Sequence, residues 1–212
     1  MPKNFERILI LSPHTDDGEV SAGGTIARLV EERRQIYYIA FSSCEKSVAE
    51  GYPRDILKEE CLRATKELGI PGENVFLLDY EVRIFPELRQ EILERMIAYG
   101  KDIKPDLVLC PSSYDTHQDH HIIFTECVRA FKRTSSIWGM EHPWNNIRFR
   151  ADILVELTQK QIEKKILALR NYGSQSFRDY FKEGFIWGCA YDRGMKTNVK
   201  CAEAFECIRM II

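Results

Sequence analysis

Two short segments about a hundred residues apart, Pro13-His14-Thr15-Asp16-Asp17-Gly18-Glu19 and Asp115-Thr116-His117-Gln118-Asp119-His120-His121, hold four of the five histidines of the chain, each among carboxylates. Imidazole and carboxylate together suit a divalent metal such as zinc, and three protein ligands with an open position make a catalytic site. His14 and Asp17 are three apart, so one turn aims both at a single ion. Asp16 between them points elsewhere, and its carboxylate is free to take a proton. His117 and His120 repeat the spacing: one completes the ligand set and the other stays off the ion as an acid or hydrogen-bond donor. Asp115 and Asp119 are placed to orient these imidazoles. The competing readings are an Asp-Asp turn that caps the next helix and a helix start with polar caps. His121 points away from His120 and reads as structural, and His142 reads as a loop residue.

Each segment follows an apolar run, where a strand would end. The run Ile8–Leu11 stops at Ser12-Pro13, and Leu107–Cys110 stops at Pro111. Between them Ile36–Phe41 and Val75–Leu78 read as strands. Helical spacing is present from the Gly23-Gly24-Thr25 start to about Arg34, over 54–68 with Gly69 as its stop, over 86–99, and from about His120 to Lys132. The last third carries a strand at Ile153–Val155, helices over 158–171 and near 178–190, and a closing strand over 204–211. This alternation predicts an α/β domain with a mainly parallel sheet. Ligands in such sheets bind beyond the carboxyl ends of the strands at the switch point. With strands one and four as neighbours, the two segments face each other over one crevice.

A chain of 212 residues with 44% hydrophobic and 29% charged content forms one core, and residues 1–212 are expected to be a single domain. A net charge of −2 argues against a nucleic-acid partner. Seven cysteines without a C-x-x-C pair fit a reducing compartment. The start, Met1 to Arg7, leads into too few apolar residues for a secretory leader, and no segment has the ~20 apolar residues of a membrane span. The expected location is cytoplasmic, and a homo-oligomer stays open. Dinucleotide, P-loop and serine-elbow motifs are absent.

These residues resemble the LmbE/PIG-L family of metal-dependent de-N-acetylases. The family's P-H-P-D-D-x-E and G-G-T-[IL] elements correspond to Pro13–Glu19 and Gly23-Gly24-Thr25-Ile26, and its D-x-H-x-D-H element to Asp115–His120. Lys104-Pro105-Asp106-Leu107-Val108, Tyr172-Gly173-Ser174-Gln175-Ser176 and Ala202-Glu203-Ala204-Phe205 extend the similarity along nearly the whole chain.

The resemblance implies a Rossmann-like three-layer α/β fold with the metal site at the ends of strands 1 and 4. It implies His14, Asp17 and His120 as zinc ligands, with Fe2+ as another candidate metal. Asp16 would be the general base, and a positively charged His117 would assist the oxyanion and the leaving amine. The implied reaction removes an acetyl group from an N-acetylglucosamine-type sugar or sugar conjugate. The alternatives are another metal-assisted hydrolase of phosphoesterase type and a catalytically silent sugar-binding protein on the same fold. Thr15 and Gln118 replace prolines common in the family. Leu57 stands where many members have an arginine, and Arg54 is the candidate to supply that charge. The loop Ser42–Pro53 and the segment Glu141–Asn146, with Trp138, Trp144 and the asparagines, are candidates to shape a sugar pocket; the alternative for the tryptophans is packing in the core or at an interface.

Overall fold

Alternate residues of the first strand face opposite ways, and both faces are buried. In the computed structural model, which describes residues 5–211, Ile8 and Ile10 of β1 (Arg7–His14) join one apolar cluster, while Leu9 and Leu11 join another. A strand covered on both faces must be apolar throughout, which is why Ile8–Leu11 reads as an unbroken run. Each such side chain contributes about 1.5–3 kcal/mol by leaving water. The start of the chain, Met1–Asn4, and with it part of the leader-peptide reading, lies outside the described residues.

Seven strands form one sheet in the order β3-β2-β1-β4-β5-β7-β6. They are β1, β2 (Gln35–Ser42), β3 (Val75–Leu77), β4 (Leu107–Pro111), β5 (Ser136–Met140), β6 (Ile153–Leu157) and β7 (Cys201–Arg209). The first five run parallel, and β7 pairs antiparallel with both β5 and β6. Helices α1 (Asp17–Glu31), α2 (Ile56–Leu68), α5 (Gln159–Leu169) and α6 (Glu183–Met195) cover one face; α3 (Phe85–Ile103) and α4 (Gln118–Phe131) cover the other. The expected three-layer α/β architecture with a mainly parallel sheet is therefore observed. Ile10 pairs with Tyr38 on one side and Leu109 on the other, so β1 and β4 are neighbours at the switch point. No helix among the described residues is long and apolar enough to cross a membrane.

Three differences from the sequence reading have local causes. Gly23 and Gly24 lie inside α1, not at its start, because other elements press against them. A Cβ on Gly24 would sit 2.6 Å from Leu157 Cδ1, and one on Gly23 would sit 2.8 Å from Lys165 Cγ. Glu203 of β7 reinforces this contact by accepting from the Gly24 and Thr25 amides and from Lys165 Nζ. Strand β5 went unrecognised because Gly139 interrupts its apolar run. That glycine is required where a Cβ would come within 2.8 Å of Ser112 Cα. The helix expected near 178–190 begins only at Glu183, because residues 173–181 form two 3-10 turns that serve the site. Gly69 ends α2 in the left-handed conformation, at φ 93°, as its position predicts.

Candidate metal centre and its cavity

The turn after β1 folds back on itself. Asp17 Oδ2 accepts from the His14 amide at 2.9 Å, and Ser12 Oγ accepts from the Gly18 amide at 2.9 Å. These bonds bring His14 and Asp17 to the same side. Asp17 Oδ2 lies 3.0 Å from His14 Nδ1 and 3.1 Å from His120 Nε2, and the two nitrogens are 3.3 Å apart. A tetrahedral ion with bonds of about 2.0–2.1 Å holds its ligands roughly 3.3 Å apart, so this triangle fits one. His14, Asp17 and His120 are 8%, 6% and 1% exposed.

The far nitrogens of the two imidazoles are anchored. His120 Nδ1 is 2.7 Å from Asp115 Oδ2, and His14 Nε2 is 3.1 Å from Asp119 Oδ2. Each carboxylate holds a proton on the outer nitrogen and turns the inner nitrogen toward the centre. Asp119 thus reaches across the crevice to His14 and, through its second task, accepts from the Arg83 amide at 2.7 Å. In the metal-free chain burial lowers the His14 and His120 values, but the surrounding carboxylates outweigh it. Asp17 with Asp119 raises His14 to about 10, and Asp17 with Asp115 raises His120 to about 9. Against burial, the same histidines hold Asp17 well below the usual carboxylate range.

Asp16 occupies the N-cap of α1, yet its side chain makes no capping hydrogen bond. It lines the cavity instead, half-buried, and burial followed by the neighbouring Asp17 charge raises it to about 6. His117 is the N-cap of α4, and its Nδ1 accepts from the Asp119 amide at 3.2 Å. That bond leaves the proton of a neutral ring on Nε2. Burial and the charges of His120 and His14 lower its pKa, so the free site favours the neutral form over the expected cation.

Below the turn, Glu19 is fully buried. The Tyr38 and Tyr172 hydroxyls each contact both the Thr15 carbonyl and the Glu19 carboxylate. Each hydroxyl has only one proton, so a protonated Glu19 supplies a further donor to these contacts. Burial raises Glu19 to about 8, in agreement with that count.

The centre opens into a cavity of about 250 Å³, walled in part by Cys44, Ser47, Leu57, Trp144, Asn145 and Tyr180. Trp144 stacks on Tyr180 with ring centroids 4.0 Å apart. Trp138 is not part of it; it packs in the core between Phe5 and Phe205. Asn146 is structural, binding the His142 amide and Ser112 Oγ. Arg54 lines a neighbouring surface depression that shares the exposed Arg83 with the site cavity, while Arg178 lines the site cavity itself. His121 is exposed and faces Phe124.

His142 is the residue that sequence reasoning missed. It is 0% exposed, with Nδ1 3.1 Å from Asp115 Oδ2 and Nε2 3.7 Å from Asp17 Oδ1. Asp17, His120 and His142 form one set of metal-capable donors, and His14, His117 and His120 another, within 4.8 Å in each case. Recognising β5 would have revealed His142, since it follows the end of the strand beside β4.

Residues 9–131 match the model of the family described as PIG-L: GlcNAc-PI de-N-acetylase. Diacetylchitobiose deacetylase of Thermococcus kodakarensis is 23% identical over 96% of this chain and 83% of its own length. The N,N'-diacetylchitobiose deacetylase structure from Pyrococcus horikoshii, determined with an inhibitor, superposes with a TM-score of 0.77 at 20% identity, covering 96% and 84% of the two chains. A 4-carboxy-2-hydroxymuconate hydratase from Pseudomonas putida gives 0.76 at 17% identity, with 98% of each chain covered. The architecture is therefore shared by proteins of different reaction type, and chemistry has to be argued from the site.

Proposed function

The chain belongs to the PIG-L (GlcNAc-PI de-N-acetylase) family, and from that premise we propose that it is a metal-dependent hydrolase removing the acetyl group from an N-acetylglucosamine-type sugar or sugar conjugate. The whole chain is taken as one such domain. The observation that carries the reading is the triangle of His14 Nδ1, Asp17 Oδ2 and His120 Nε2, with sides of 3.0–3.3 Å, beside the uncapped carboxylate of Asp16. A binding protein has no need of a free base next to a ligand set.

His14, Asp17 and His120 would hold a divalent ion, zinc in this proposal, which would supply Lewis-acid polarisation of a carbonyl oxygen and a lowered pKa of water, from 15.7 toward ~7. Asp16 accepts the proton of the attacking water, and its raised pKa suits a base working near neutrality. His117, neutral with its proton on Nε2, donates a hydrogen bond to the carbonyl oxygen as negative charge develops and keeps that proton. The Asp119 amide fixes that tautomer. Asp16 returns the proton it took from water to the nitrogen as it leaves. The amide C–N bond breaks, giving acetate and a free amine. Trp144, stacked on Tyr180, offers an aromatic wall of the kind that sugar rings pack against.

The test is a panel of N-acetylated sugars, sugar nucleotides and lipid-linked sugars, assayed together for acetate and for free amine with the zinc-loaded protein. Equal release of both products, abolished in Asp16→Asn, is the expected result. Two metals per chain together with phosphate-ester cleavage would replace this reading with a phosphoesterase.

A further inference from the structure

His142 follows the last residue of β5 by two positions, so a third strand end joins those of β1 and β4 at the metal centre. Its main chain is fixed. The amide donates to Asn146 Oδ1 at 2.7 Å, and the carbonyl accepts from the Asn145 and Asn146 amides at 2.9 Å each. The ring lies between two others, its centroid 4.7 Å from that of His120 and 5.5 Å from that of Trp144. It is 0% exposed, yet neither nitrogen has a well-directed hydrogen bond among the described residues. His14 and His120 each have one, to Asp119 and to Asp115. Native folds leave few buried polar atoms without a partner, and an apolar ring would serve packing alone.

Both nitrogens face carboxylates that serve the ligand set. Nδ1 is 3.1 Å from Asp115 Oδ2, the oxygen that also stands 2.7 Å from His120 Nδ1. Nε2 is 3.7 Å from Asp17 Oδ1. His142 thus repeats the arrangement of His120, with Nδ1 toward Asp115 and Nε2 toward Asp17. Asp17 turns Oδ2 to His14 and His120 and Oδ1 to His142, so one carboxylate stands before three imidazoles. At 3.7 Å a proton does not bridge Nε2 and Oδ1. A metal ion does: two bonds of about 2.1 Å meeting at roughly 120° set their donors ~3.6 Å apart. The donor atoms of Asp17, His120 and His142 all lie within 4.8 Å of one another.

We propose that His142 Nε2 is a further donor to the divalent ion, beside His14, Asp17 and His120. The proposal rests on the metal-centre part of the hydrolase reading and adds to it a donor that belongs to neither motif. Three imidazoles and one carboxylate complete the tetrahedron that zinc prefers. With His142 removed, three protein donors remain and a fourth position is open.

X-ray absorption spectroscopy of the tag-free chain loaded with one equivalent of Zn2+ counts the imidazoles on the ion, because their ring atoms scatter in a set pattern. Three are expected in the wild type and two in His142→Gln, which keeps a polar side chain at the buried position. Two in the wild type overturn the proposal without recourse to any variant, and leave His142 as a prop for Asp17. Three in both proteins overturn it as well, since the third ring would then be His117. Competition against a chelator gives a second reading. Affinity for Zn2+ should fall about 10- to 100-fold in His142→Gln and His142→Ala, with one ion per chain still bound at saturation. Unchanged affinity in both variants overturns the proposal. A wild-type chain that binds no divalent ion defeats the metal-centre reading and the proposal with it, whereas binding through two imidazoles defeats the proposal alone.

Discussion

His14 Nδ1 and His120 Nε2 lie 3.3 Å apart although 106 residues separate them in the chain, and Asp17 Oδ2 closes the triangle within 3.1 Å of each. Two nitrogens with raised proton affinity in such contact are a pair that an ion would hold better than two protons do. His120→Ala is expected to lose metal, measured by elemental analysis after dialysis, whereas His142→Ala should keep at least most of it. Loss of metal in His142→Ala with retention in His120→Ala would move the ligand set to His142.

Metal binding should release protons. His14 at about 10 and His120 at about 9 are both protonated at pH 7 in the metal-free chain, and an ion must displace a proton from each inner nitrogen. The sign follows: apparent affinity rises with pH up to the 9–10 range and levels off above it. Calorimetry in buffers of different ionisation enthalpy reads the number of protons directly. A pH-independent affinity between 6 and 9 would contradict the protonation of these two rings.

Asp16→Asn keeps the shape of the turn and removes the base. Turnover should fall by about 10²–10⁴-fold, the range of general-base catalysis, while metal content stays near that of the wild type. Wild-type turnover in this variant would remove Asp16 from the mechanism.

Glu19 gives the protein a stability slope. Its folded value of about 8 lies above the ordinary value of 4.5, so the folded state favours the neutral acid. The associated stability is complete below about pH 4.5 and is lost progressively as pH rises through 8. Glu19→Gln, neutral at every pH, should unfold with less pH dependence between 5 and 9 than the wild type in urea titrations of the metal-free chain. An unchanged slope would mean that another group sets it.

Gly18→Ala should destabilise the protein by about 1–3 kcal/mol, the usual cost of overpacking. Its Cβ would lie 2.6 Å from Tyr38 Cε2 and 2.7 Å from the Tyr38 hydroxyl, which is bonded to Ser12, Thr15 and Glu19. Displacing that hydroxyl disturbs the turn that carries His14, Asp16 and Asp17, so the melting temperature and metal affinity should fall together. A variant with wild-type melting would show that the turn yields without cost.

What the sequence determined by itself was local. Unbroken apolar runs ending at Pro13 and Pro111 marked buried parallel strands, because a strand covered on both faces admits no polar residue. The 1,4 spacing of His14 with Asp17, and of His117 with His120, marked paired donors on single turns. The tertiary structure decided everything that depends on contact between distant segments. Asp119 serves His14 across the crevice, Gly24 sits mid-helix because Leu157 presses on it, and His142 joins the centre from the end of a strand hidden by Gly139. The arginines of the cavity follow the same rule. Arg54 was favoured by its nearness in sequence to Leu57, but Arg178 reaches the cavity from more than a hundred residues away, held through Gln175 and Ser174 to Glu60. Spacing along the chain specifies which groups one turn can aim together; only the packing of the sheet and its helices specifies which turns meet.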